Sequence, residues 1–183
     1  MKLRSPLEGF DLPAGLRELP FLAQIDVRVE ASSSAMQRLA TALDFVLPLE
    51  PNTVTGKVDH HALWLGPDEW LIVGPEGTEA IIEARCRSAL GSDIGSVVDV
   101  SANRTTLELH GPNARAVLET GCAIDLHPRA FGPDRCAQTL VARTAVVLHQ
   151  TTGEPRYRLL VRPSYAAFLA TWFCDAMGAL SPD

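Results

Sequence analysis

The sequence predicts an α+β fold made of two ferredoxin-like β-α-β-β-α lobes that arose by internal duplication. Three observations carry this expectation. Strand-like alternation and helix-like spacing follow one another twice along the chain. Landmarks recur in the same order: Val29 and Leu109 are 80 residues apart, as are Pro48 and Pro128, while Gly74-Pro75 and Arg162-Pro163 are 88 apart. And 46% of the 183 residues are hydrophobic, enough for a sizeable core. A β-α-β unit with added strands gives a split sheet with helices on one face. The organisation expected is an extended arm over residues 1–20, a first lobe over 21–95 and a second over 96–183, meeting around residues 88–97.

Each element has a local reason. Residues 1–20 are rich in proline, glycine and charge and read as an arm with no core of its own. Ile25-Asp26-Val27-Arg28-Val29-Glu30 alternates strictly and predicts a half-buried strand. Ser32-Ser33-Ser34 offers N-caps for a helix carrying Met36, Leu39, Ala40 and Leu43, which Pro48 and Pro51 end. Strands are expected over 53–58, 61–65 and 70–73, with a helix over 78–90 beyond Gly74-Pro75. The second half repeats the theme with strands at 97–100 and 105–110. Gly111-Pro112-Asn113 then opens a helix with Pro112 at its first position. Strands at 136–141, 145–149 and 157–161 follow, and Ser164 is placed to cap a final helix.

Charge and cysteine content exclude several functions. The net charge is −6, against a nucleic-acid footprint and against docking on an anionic membrane. The N-terminus has no apolar run after its basic residues, and no segment approaches ~20 uninterrupted apolar residues. The location expected is cytoplasmic. Cys86, Cys122, Cys136 and Cys174 are spaced 36, 14 and 38 residues apart, which suits neither a zinc site nor a disulfide framework. They read as free thiols packed like small apolar side chains.

Candidate chemistry centres on Ala62-Leu63-Trp64-Leu65-Gly66-Pro67-Asp68-Glu69-Trp70. Gly66-Pro67-Asp68-Glu69 has turn chemistry, so the acids sit at a hairpin tip facing water and the tryptophans at its base, one per strand. Neighbouring acids in a turn diverge, whereas paired-carboxylate catalysis needs them about 5–9.5 Å apart across a substrate. Asp59-His60-His61 suggests a metal. Adjacent strand residues point to opposite faces, however, and no third ligand is in view, so a solvated turn explains them better. Asp125 and His127 fit an Asx turn, and Ser101 and Ser164 lack a nucleophile-elbow context. Arg104 lies in a turn between strands and has the geometry to grip a carboxylate. The surface candidates for a partner are therefore Trp64, Asp68, Glu69, Trp70 and Arg104, with no catalytic, cofactor or metal residues.

Several motifs in order resemble the gamma subunit of heterotetrameric sarcosine oxidase. They are Leu65-Gly66-Pro67-Asp68-Glu69-Trp70-Leu71, Val98-Asp99-Val100-Ser101 with Arg104-Thr105, Leu109-His110-Gly111-Pro112, Gly121-Cys122 with Asp125-Leu126-His127-Pro128, and Tyr157–Tyr165. The resemblance covers roughly residues 21–178 and implies the folate-binding fold of the glycine-cleavage T-protein. It further implies a complex of alpha, beta, gamma and delta chains that oxidises sarcosine to glycine and peroxide and passes the one-carbon unit to tetrahydrofolate. FAD, FMN, NAD and zinc would belong to other subunits, and this chain would pack on alpha. T-protein relatives carry a catalytic aspartate in the turn matching residues 149–155, where this chain has none. The Lys-Gly-Cys-Tyr motif of the iron–sulfur-assembly relatives is also absent around Cys122. A stand-alone folate or small-anion binding module is the alternative, and an independent enzyme the third possibility.

Overall fold

The computed structural model describes residues 4–151 and 154–180. Residues 1–3 of the expected arm, Thr152 and Gly153 of the 149–155 turn, and residues 181–183 of the second lobe lie outside the described residues. The elements run β1 (Leu16–Leu19), β2 (Ala23–Val29), α1 (Ala35–Leu43), β3 (Val54–Lys57), β4 (His60–Gly66), β5 (Glu69–Gly74), α2 (Glu79–Leu90) and β6 (Gly95–Asp99). A 3-10 turn (Ser101–Asn103) then leads into β7 (Thr105–His110), α3 (Ala114–Glu119), β8 (Arg135–Val141), β9 (Thr144–Gln150), β10 (Arg156–Val161) and α4 (Pro163–Leu180). They form two compact units, one of residues 21–102 and one joining the first 20 residues to those from Asn103 onward.

Residues 21–102 hold an antiparallel sheet ordered β3-β4-β5-β2-β6. Alternation along β2 sends Ala23, Ile25, Val27 and Val29 into one core with Trp70 and Ile72 of β5 and with Leu39 and Leu43 of α1 and Ile82 and Cys86 of α2. Each fully buried large apolar side chain contributes about 1.5–3 kcal/mol. The two helices hold each other's ends. Asp93, just beyond α2, accepts the Ala35 N–H that opens α1 at 3.2 Å. Arg38 of α1 donates to the Ala89 and Leu90 carbonyls that close α2, at 2.7 and 3.1 Å. Ser34 occupies the N-cap of α1 but makes no capping bond; Ser33 Oγ accepts the Ala35 N–H at 3.0 Å. At Gly95 a β-carbon would lie 2.3 Å from the Arg28 carbonyl, so only glycine lets β6 approach β2 there.

The other unit's sheet runs β1-β7-β10-β9-β8, also antiparallel. Its core joins Leu107, Leu109, Tyr157, Leu159 and Val161 to Val117 and Leu118 of α3 and to Leu169 and Phe173 of α4. Gly121, after α3, lies against Trp172, whose ring would come within 2.5 Å of an added β-carbon.

Three expectations change. First, the arm is part of a core: Leu16–Leu19 pairs with β7, and Leu7 and Leu16 are buried. Second, the boundary moves from 95/96 to 102/103, because β6 pairs with β2 and so belongs with residues 21–102. Third, the strands expected over 53–58 and 136–141 do form, as β3 and β8, so each unit carries three strands between its helices and departs from the two of a β-α-β-β-α lobe. Local starts also shift. Asn113, not Pro112, precedes α3, and α4 begins at Pro163, which leaves Ser164 inside the helix.

Candidate functional site

Trp64 and Trp70 face each other directly across β4 and β5, at the base of the Gly66–Glu69 turn. Trp70 is fully buried, and its indole Nε1 donates to the Pro48 carbonyl at 2.7 Å. It is a core side chain and offers nothing to a partner, which corrects its place among the surface candidates. Trp64 is half-buried beside the same core. Asp68 is exposed, and its carbonyl accepts the Val29 N–H at 3.1 Å. Glu69 does not simply face water: it takes Arg28 Nη2 at 2.8 Å, while Arg28 Nε lies 3.5 Å from Asp26. Burial and the neighbouring Glu69 carboxylate push the Asp26 carboxyl above its ordinary range, against the pull of Arg28. Arg104 is half-buried in the other unit, just before β7.

The remaining sequence candidates resolve into structural roles. His61 is buried, while His60 is half-buried with its ring edge-on to Phe45 at 5.1 Å. Burial, and then Arg85 and Lys57, hold His60 below the usual imidazole range. Among the described residues, no group of three or more His, Cys, Asp and Glu side chains is placed to hold a metal ion. Asp125 Oδ1 accepts the His127 N–H at 2.8 Å, forming an Asx turn. In Val98-Asp99-Val100-Ser101 the polar groups extend the β2–β6 ladder. Ser101 Oγ donates to Asp99 at 2.6 Å and accepts the Gln24 N–H at 2.9 Å, and Val100 N–H donates to the Gln24 carbonyl at 2.9 Å. Burial pushes the Cys86 thiol up to about 12. It also raises Cys122, although the Ile124 and Ala123 amides pull the other way.

Sequence reasoning missed the most concentrated charge in the molecule. On the helix-free face of the β7 sheet, Glu108 is completely buried with three arginines around it. Arg17 of β1 directs Nε and Nη2 to Oε1 at 2.9 and 2.6 Å. Arg158 of β10 reaches Oε2 at 3.1 Å, and Arg156 reaches Oε1 at 3.4 Å. The register explains the convergence, because Arg17 and Arg158 lie directly opposite Glu108 on its two flanking strands. Burial opposes ionisation of Glu108, but hydrogen bonds and attraction from Arg17 and Arg158 outweigh it and hold the carboxyl below its ordinary range. Beside Arg156 opens a cavity of about 350 Å³ lined by His110, Gly111, Pro112, Glu154, Pro155 and Arg156. The signal available in the sequence was Arg156-x-Arg158 on one face of a strand, and an acid inside the otherwise buried 105–109 run.

Known proteins place this arrangement in context. The model of the "Sarcosine oxidase, gamma subunit family" matches residues 28–179. A sarcosine oxidase subunit gamma from Corynebacterium sp. (strain P-1) is 42% identical over 169 residues, covering 92% of this chain and 82% of that protein. Among solved structures, heterotetrameric sarcosine oxidase from Corynebacterium sp. U-96 matches with a TM-score of 0.89 at 35% identity. That match covers 99% of this chain and 97% of the other. The glycine cleavage aminomethyltransferase T from Bartonella henselae shares the fold at TM-score 0.66 and 18% identity, over 87% of this chain and 45% of that one. Two antiparallel sheets with helices on one face of each, and a family match across most of the length, agree: the chain belongs to the sarcosine oxidase gamma subunit family.

Proposed function

We propose that the chain is a non-catalytic subunit of a heterotetrameric sarcosine oxidase. In this reading it packs on the alpha chain, in the cytoplasm, with beta and delta chains completing the assembly. The complex oxidises sarcosine to glycine and peroxide and delivers the one-carbon unit to tetrahydrofolate. FAD, FMN, NAD, tetrahydrofolate and zinc are held by the other subunits. The observation that carries the reading is the match at TM-score 0.89 over 97% of a chain in such an oxidase. The structural roles of Ser101, Asp125 and His127 support it, since the polar residues of the family-like motifs are spent on turns and ladder ends. The equal order of β3-β4-β5-β2 and β8-β9-β10-β7 supports an origin by internal duplication.

A tagged copy expressed in its native cell is expected to co-purify with a large flavin-absorbing chain in fixed ratio; recovery of the tagged chain alone would refute the subunit reading. The alternative of a small-anion module draws on the arginines around Glu108. Calorimetric titration with tetrahydrofolate separates the two, the subunit reading predicting no heat of binding to the isolated chain.

A further inference from the structure

We propose that Arg156 and the cavity beside it seat a carboxylate on an acidic segment of a neighbouring subunit, an inference that rests on the subunit reading. Glu108 is already satisfied: Arg17 takes one oxygen through two N–H groups at 2.9 and 2.6 Å, and Arg158 takes the other. The Arg156 contact at 3.4 Å is the longest of the set. Three guanidiniums around one carboxylate leave two positive charges in excess, on a chain whose net charge is −6. The local surplus survives the presence of Glu154 in the cavity lining. A guanidinium carries five donors and Glu108 engages one of those on Arg156, so a planar, bidentate acceptor fits what remains. The Arg156 side chain is 39% exposed, open to a partner yet oriented by the buried acid.

The walls say which kind of carboxylate. Pro112 and Pro155 have no N–H, the Gly111 N–H is used by the Pro155 carbonyl at 3.2 Å, and the His110 N–H by the Gly15 carbonyl at 2.8 Å. A small-molecule site needs several convergent polar groups to fix its ligand. Here Arg156 and the His110 ring are the side-chain donors, which suits one anchoring residue whose remaining affinity comes from the surrounding interface. Phosphate backbones are a poor match, because three arginines around a glutamate form no extended basic track.

Co-expression of the full chain with the alpha, beta and delta chains of its own oxidase is the test. Recovery of wild type in the complex upholds the subunit reading; failure of wild type to co-purify refutes that reading and this surface with it. With wild type assembled, Arg156→Glu is expected to lower its stoichiometry on the order of tenfold, and Arg156→Gln to lower it less and to flatten the loss of wild-type retention with added salt. Thermal melts of the isolated variants are expected to match wild type, because Arg17 and Arg158 still hold Glu108. Wild-type stoichiometry for Arg156→Glu would overturn the proposal. If that variant unfolds, Arg156→Gln decides: retention and salt dependence equal to wild type would overturn it. Stabilisation of the isolated chain by glutarate that Arg156→Gln abolishes, with normal assembly, would assign the cavity to a small carboxylate and also overturn it.

Discussion

In the sheet of residues 21–102, Arg28 on β2 lies opposite Glu69 on β5; in the other sheet, Glu108 on β7 lies opposite Arg158 on β10. β2 and β7 hold the same place in their sheets, so equivalent positions carry opposite charges. The two clusters differ in burial and in balance. Glu108 is sealed and meets three arginines, whereas Arg28 is 53% exposed and shared by two acids, Asp26 and Glu69. Burial raises both carboxyls, and the charges beside them decide the outcome: Arg17 and Arg158 overcome it and hold Glu108 low, whereas Glu69 adds to it and Asp26 stays high. One face of a fold thus supports either sign, and the surplus charge, rather than the number of ion pairs, sets what each cluster contributes.

The largest effect is expected from removing the sealed acid. Glu108→Ala removes the carboxylate that Arg158, only 12% exposed, shares with Arg17 and Arg156. Breaking a buried charge cluster from one side costs about 3–5 kcal/mol. Urea denaturation of the isolated chain is expected to show that loss. A loss below ~1 kcal/mol would mean that water already satisfies the arginines, and the contrast with the Arg28 cluster would disappear.

What the sequence made legible divides along the same lines. Local pattern was enough for β2, where Ile25-Asp26-Val27-Arg28-Val29 alternates, and for the hairpin at Gly66–Glu69, where turn chemistry and flanking apolar runs agree. It failed for β1, a four-residue strand in a proline- and glycine-rich arm, whose partner β7 lies some 90 residues away and supplies the order that Leu16–Leu19 lacks alone. It failed likewise for the arginine cluster, because Arg17, Glu108 and Arg158 meet only through the register of three strands far apart in the chain. The two tryptophans of the hairpin were indistinguishable by motif, and the difference comes from distant segments: Trp70 packs in the core with residues of α1 and α2 and donates to the Pro48 carbonyl.

That pair gives an intermediate test. Trp70→Phe removes an indole N–H and strands the buried Pro48 carbonyl, a cost of about 1–3 kcal/mol. Trp64→Phe, across the same strand pair but half-exposed, is expected to cost less. Paired denaturation curves would check the order, and equal losses would show that the two sides of the hairpin are equally sealed.

The smallest effect is the most direct probe of sign. Asp26 has a raised carboxyl, so its ionised form destabilises the fold above that value. As pH falls through the raised value, the native state takes up a proton before the unfolded chain does, and stability is regained. Glu108 runs the other way: its contribution is complete above the ordinary carboxyl range and is lost as pH falls through its lowered value. Asp26→Asn is therefore expected to raise stability at pH 7, by an amount within the ~0.5 kcal/mol typical of surface changes. That gain should shrink toward acid, because protonated aspartate and asparagine are both uncharged beside Glu69. Melting curves of wild type and variant between about pH 4 and 8 would decide the matter. A gain that grew toward acid would mean that Arg28 dominates both acids, and that the two clusters share one electrostatic character despite their inverted charges.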